Sequence, residues 1–388
     1  MKPRTARWLT DVERKVLAGL VLLGAVAFGI GVARTPSRAW ADLLVVNYYL
    51  LTISLGAAVF ICAHYLAGAG WTTLFRRVPE AMTGYLPAGA VLMVVLLLAV
   101  RVLYPWAFPS AAADPILQAK AGWLNVTGFR VRTVLYLFIW IFLARRIVAN
   151  SRAQDESRDV SLTAKNLVAS SVFVVVFALT FTLAGIDWMM SLEPHWFSTI
   201  YPWYLFASLF VASQAVLTLL LLLMHRRGFC QGINSAHLHD LGKYLFGFSV
   251  FWAYLWFSQY LLTWYTNMPD EVAHFLSRTA GSWDALFWCN VFLCFIAPFA
   301  LLLSATRKKR EGALAAGCVV IIVGHLLDVY MQVGPQVLSH GPQLGPLEAG
   351  IVLGGAALFV LLFDRSFAEV SSVPVGDPYL VESLHHHG

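Results

Sequence analysis

His325, Asp328 and Gln332 stand at i, i+3 and i+7 of one apolar run, so a helix would set them on one face. Counted from about Ala313, His325 falls near the middle of that run and Asp328 one turn beyond it. An ionisable side chain at such a depth costs about 3 kcal/mol to insert into lipid, so each one needs a reason. An imidazole one turn from a carboxylate can relay a proton, and the same pair can also be a hydrogen-bonded lock between helices. Asp187 raises the same question at the C-terminal end of another run, where a negative charge opposes the helix dipole and requires a partner or a task. Glu193 and His195 follow it closely. Arg101 closes a third run, where it either snorkels to lipid headgroups or serves as counter-ion to Asp187 or Asp328.

The elements that must hold these groups are ten apolar runs, at about 15–33, 40–66, 81–104, 129–149, 165–187, 199–224, 241–266, 283–304, 313–333 and 347–363. At 1.5 Å rise per residue, most are long enough to cross about 30 Å of hydrocarbon. Composition agrees, since only 12% of the 388 residues are charged, against about 25% in a soluble domain, and 59% are hydrophobic. This excludes a disordered chain, a basic protein that coats nucleic acid and a disulfide-rich secreted domain, and it argues against a soluble enzyme. The five cysteines form no CxxC pair and read as core residues, with no zinc or iron–sulfur site. The histidines of the ending Ser383 to Gly388 carry no metal argument, and no metal site is expected.

Basic residues alternate between connections. Lys2, Arg4, Arg7, Arg14 and Lys15 precede the first run; Arg76 and Arg77 follow the second; Arg145 to Lys165 surround the fourth connection. Arg226 and Arg227 follow the sixth run, Arg307 to Arg310 the eighth, and Arg365 the tenth. The other connections are acidic and aromatic, with Asp114, Asp270, Glu271 and the stretch Trp188 to Trp203. Positive residues mark the cytoplasmic side, so both termini are expected there, with 364–388 as a cytoplasmic tail and the stretch 104–128 folding over the outer mouth. The connection Ala149 to Ala164 reads as solvated. The second and sixth runs echo one another, each opening with aromatics (Asn47-Tyr48-Tyr49, Tyr201-Pro202-Trp203-Tyr204) and continuing with small residues that permit close packing. The expected fold is an all-α integral membrane protein, a single membrane domain of about ten helices, as two four-helix bundles with the first and last helices outside. Titratable groups inside it are expected to concentrate in the outer half, with no comparable buried cluster in the inner half.

The stretch Asp187-Trp188-Met189-Met190-Ser191-Leu192-Glu193-Pro194-His195-Trp196, with its Asp-Trp-x-Met-Ser-Leu-Glu-Pro-x-Trp core, resembles the signature of the NrfD-like, or polysulfide-reductase-type, integral membrane subunits. It most resembles the second such subunit of bacterial alternative complex III. The resemblance implies a multi-pass subunit of a quinol:electron-acceptor oxidoreductase in the bacterial inner membrane. Its partners would be a second NrfD-like subunit, an iron–sulfur subunit and c-type haem subunits, with haem and clusters on those partners and none covalently held here. Menaquinone or ubiquinone is the implied quinone, and the subunit's role is quinone contact, proton conduction or both. The motif's acidic residue is Asp187, with Glu193 and His195 beside it. Quinol oxidation needs a base near the hydroxyls and a hydrogen-bond partner at the other end of the ring, and Asp187 with His195, or Asp328 with His325, supply those types. A purely structural membrane anchor of such a complex is the first alternative. A secondary transporter is the second, against which stand the lack of an inverted repeat and of broken half-helices.

Overall fold

The computed structural model describes residues 7–338 and 340–386, so Lys2 and Arg4 of the basic tail and His387 and Gly388 lie outside the described residues. Local signals explain most helix starts. Thr10 and Glu13 form a reciprocal capping box that opens α1 (Asp11–Arg34), and Pro36 at the first position opens α2 (Pro36–Leu66). The third apolar helix, α3 (Arg77–Leu103), is interrupted by 3₁₀ turns at Thr83–Tyr85 and Leu97–Ala99. The Asn125 side chain caps α4 (Val126–Ser157), and α5 runs Ser161–Trp188. Pro202 lies in the first turn of α6 (Tyr201–Arg226), and Asn234 caps α7 (Ser235–Thr266). There follow α8 (Gly281–Leu302), α9 (Glu311–Val337) and α10 (Pro346–Ala368).

Nine of these helices, among the described residues, are long and apolar enough to cross a membrane. The protein is thus all-helical, with the make-up of a multi-span membrane protein. The remaining one, α4, has the length at 32 residues but carries Arg130, Arg132, Arg145 and Arg146, which dilute its hydropathy. The connection 149–164 is exposed over much of its length, as its composition suggests, but it is mostly helix and not a loop. Helix α4 continues to Ser157, reverses at Arg158 in the left-handed region, and α5 begins at Ser161. Ser151 and Gln154 are buried there, because Arg77 reaches over to donate to Ser151 Oγ at 3.1 Å.

Helices α2 and α6 run through the middle. α2 packs against α3, α5, α6, α9 and α10, while α6 packs against α2, α7 and α9. α4 lies on α5, α8 on α7 and α9, and α1 along α10. The small residues of the two echoing runs make the central crossing. A Cβ on Gly56 would come within 2.5 Å of Ser213 Cβ, and Ser213 Oγ donates to the Ile53 carbonyl at 2.8 Å. The chain after α10 folds back across the basic end, where Ser383 Oγ donates to the Trp71 carbonyl at 2.6 Å and Asp377 pairs with the buried Arg76.

Candidate functional site

Asp328 is the centre of a network drawn from four helices. It is 1% exposed. Ser208 Oγ of α6 donates to its Oδ2 at 2.9 Å, Trp252 Nε1 of α7 to the same oxygen at 3.2 Å, and Asn290 Nδ2 of α8 to Oδ1 at 3.0 Å; the Tyr204 hydroxyl of α6 also donates to Oδ1. Two backbone features bring α8 this close. A Cβ on Gly324 of α9 would lie 2.9 Å from the Leu293 carbonyl carbon, and α8 takes a π turn at Phe292–Ile296, a device often found at functional positions. Cys294, in that turn, donates to Asn290 Oδ1 and so fixes the amide's orientation.

His325 is fully buried, with its Nδ1 2.9 Å from Ser208 Oγ and 3.8 Å from Asp328 Oδ2. Ser208 has one hydrogen and spends it on Asp328, so His325 Nδ1 must donate to Ser208. In the neutral ring this leaves Nε2 as a bare acceptor, and it is a buried atom without a hydrogen-bond partner among the described residues. Gln214, Thr218 and Ser249, on α6 and α7 towards the basic end, also carry unpartnered buried polar atoms. Buried polar groups of this kind ordinarily meet water.

Towards the end away from the basic residues the network reaches a second cluster. Gln332 Nε2 donates to the Tyr204 hydroxyl at 2.9 Å, and the Tyr201 hydroxyl donates to Gln332 Oε1 at 3.1 Å. Tyr201, Tyr204, Gln259, Asn290 and Gln332 then share a cavity of about 20 Å³ with His274 and Arg278. These two belong to the short helix Pro269–Thr279 that covers the bundle between α7 and α8. His274 Nδ1 lies 2.7 Å from Glu193 Oε2, and its ring stacks on Trp196 at 3.8 Å between centroids. Burial, aided by the charge of Arg278, pushes the His274 imidazole down to about 4. Against the effect of burial, the hydrogen bond from His274 and the nearby guanidinium of Arg278 hold the Glu193 carboxyl below its ordinary range. A neutral imidazole therefore donates to an ionised carboxylate.

Asp187 is fully buried and differently served. Arg132 grips it with two hydrogen bonds, Nε to Oδ2 and Nη2 to Oδ1, both at 2.8 Å. Trp123 Nε1 donates to Oδ1 at 2.9 Å and the Tyr136 hydroxyl to Oδ2 at 3.1 Å, while the guanidinium lies 4.0 Å from the Trp123 ring centroid. The stretch 104–124 is tied over this end of α5 by Tyr104 donating to the Trp188 carbonyl at 2.9 Å and by Trp106 donating to Ser191 Oγ at 3.1 Å. Next to it opens a mainly apolar cleft of about 580 Å³, walled by Trp123, Leu124, Ile186, Met190, Trp196 and Phe197, with Lys120, Thr182, Ser191, Ser198 and Thr199 as polar members.

The spacing argument placed His325, Asp328 and Gln332 together, and they are together. Asp187, Glu193 and His195, adjacent in sequence, part company. Glu193 turns to His274 and Arg278, and the half-exposed His195 pairs with Asp114 Oδ2 at 2.6 Å. Arg101 is the partner of neither carboxylate; its side chain is exposed, and Arg132 takes the place at Asp187. The expectation of no comparable buried cluster in the inner half is also corrected. At the basic end Arg77 is buried with Glu80 and Asp155, and Arg76 with Asp377. On α5, the hydroxyls of Ser171, Thr180 and Thr182 donate to carbonyls of their own helix. Among the described residues no group of three His, Cys, Asp or Glu side chains is placed to hold a metal ion. No protein-family model matches the chain, and no curated protein is detectably similar to it.

Proposed function

We propose that this chain is a membrane subunit of a quinol:electron-acceptor oxidoreductase complex, of the NrfD-like type its Asp187–Trp196 motif resembles, and that it conducts protons through Asp328 and His325. The observation that carries the reading is the pairing of a buried carboxylate with an imidazole whose Nε2 is bare and unpartnered. Among the described residues Asp328 has no permanent cation beside it, so a proton can be taken on His325 Nε2 from the basic end and reach the carboxyl through Ser208, each group accepting one and yielding one. The unpartnered Gln214, Thr218 and Ser249 supply positions for water on the approach. Haem and iron–sulfur groups belong, on this reading, to partner subunits.

The topology that goes with it has both termini in the bacterial cytoplasm and two four-helix groups, α2–α5 and α6–α9, joined at α2 and α6 with α1 and α10 outside. The helix contacts support that grouping. A second role, quinone contact, is favoured by the cleft beside Asp187, whose aromatic walls and single lysine suit a ring with polar oxygens.

Purification in mild detergent tests membership: co-elution with c-haem and iron–sulfur polypeptides is expected, and an isolated monodisperse protein would overturn it. Within the complex, Asp328→Asn is expected to lower quinol-driven proton release at least tenfold. Unchanged release and turnover would leave only the anchor role.

A further inference from the structure

Seven polar side chains around the 20 Å³ cavity bring together two networks whose one described hydrogen bond runs from Arg278 Nη2 to the Gln332 backbone carbonyl at 3.5 Å, with none between their side chains. Tyr204 and Gln332 belong to the Asp328 side; His274 and Arg278 belong to the Glu193 side; Gln259 of α7 stands between. The volume suits one water molecule, which needs roughly 10–15 Å³ and two to four polar partners. Resting on the proton-conduction reading, we infer that one water in this cavity joins the two networks and that His274 and Glu193 form the outward proton exit.

The groups have the right order of exposure. Asp328 is 1% exposed, His274 4%, and the Glu193 side chain 17%, so the line climbs from the interior to the surface. The proton bookkeeping balances at each station. The Tyr204 hydroxyl donates to Asp328 Oδ1 at rest; once the carboxyl is protonated and presents its hydrogen on Oδ1, the hydroxyl turns to accept that proton and yields its own to the water. The water yields one to His274 Nε2, the nitrogen left over when Nδ1 is engaged by Glu193. The imidazolium then passes its Nδ1 proton to the Glu193 carboxylate, which releases it outside. Trp196 stacked on one face of His274 holds the ring, and Arg278, anchored on the Met331 carbonyl at 3.2 Å, positions Glu193. Neither His274 nor Arg278 lies in an apolar run, and neither is part of the Asp-Trp-x-Met-Ser-Leu-Glu-Pro-x-Trp motif.

The test uses the purified complex in liposomes, with a pH dye reporting release on the outer face during quinol oxidation. Glu193→Gln and His274→Phe are each expected to slow release at least tenfold; the first keeps an acceptor for His274, and the second keeps a ring on Trp196. Thermal melting of both variants checks that they fold; if His274→Phe does not, Glu193→Gln alone decides. Normal release from folded Glu193→Gln while Asp328→Asn loses it would overturn the exit and leave the conduction reading standing. Normal release from Asp328→Asn as well would overturn both.

Discussion

Asp187 and Asp328 are both carboxylates sealed from solvent, yet they are built for opposite ends. Asp187 faces a guanidinium that is charged at every accessible pH, in a two-pronged grip. Its charge has nowhere to go, and its work is to fasten the end of α5 to α4 and to the stretch that covers it. Asp328 faces four neutral donors and an imidazole that can gain or lose a proton. A permanent cation makes a buried acid a rivet, and a titratable neighbour leaves it free to exchange.

The contrast is broken most directly at Asp328. Asp328→Asn in the complex is expected to cut proton-coupled turnover at least tenfold while the melting temperature stays close to that of the parent. Equal loss from a well-folded Asp187→Asn would erase the distinction. Asp187→Asn should instead act on stability, costing about 2 kcal/mol because the partly buried Arg132 loses its anion. Thermal unfolding in detergent measures this, and the paired change Asp187→Leu with Arg132→Met should recover most of it. Gly56→Val probes the framework common to both sites: its new Cβ meets Ser213, and the α2–α6 crossing should lose about 1–3 kcal/mol in the same assay.

Acid sharpens the comparison at the outer cluster. His274 is held neutral down to about 4 against an ordinary 6.5, so the unfolded segment takes up a proton before the folded one does. Stability from this source is complete above pH 6.5 and is lost as pH falls towards 4. Amide exchange in Pro269–Thr279 should quicken over that window, after correction for the intrinsic rate. The smallest effect belongs to His195→Ala, which removes a half-exposed pair with Asp114 and should shift unfolding by less than about 0.5 kcal/mol.

Helical periodicity made the α9 site readable, because His325, Asp328 and Gln332 share one helix and one face. The donors that complete it come from α6, α7 and α8, and no local pattern ties Ser208, Trp252 or Asn290 to a residue on another helix. The same limit hid the partner of Asp187. Arg132 is separated from it by 55 residues, and nothing local in the sequence sets it above Arg101 as the partner. A clue to the outer cluster did exist: His274 and Arg278 stand at i and i+4 in a short segment outside the apolar runs, a spacing that puts both on one face. The ten runs located helices well but not their ends, since α4 and α7 extend through polar residues that composition assigns to loops.

The strap that follows α10 has a consequence for how the protein is made. Arg76 is a buried charge near the start of the chain, and its carboxylate partner, Asp377, is synthesised 301 residues later. Until that segment is made, the basic ends of α2 and α3 must keep that guanidinium in water. Closure of this end therefore follows the synthesis of every helix from α3 to α10.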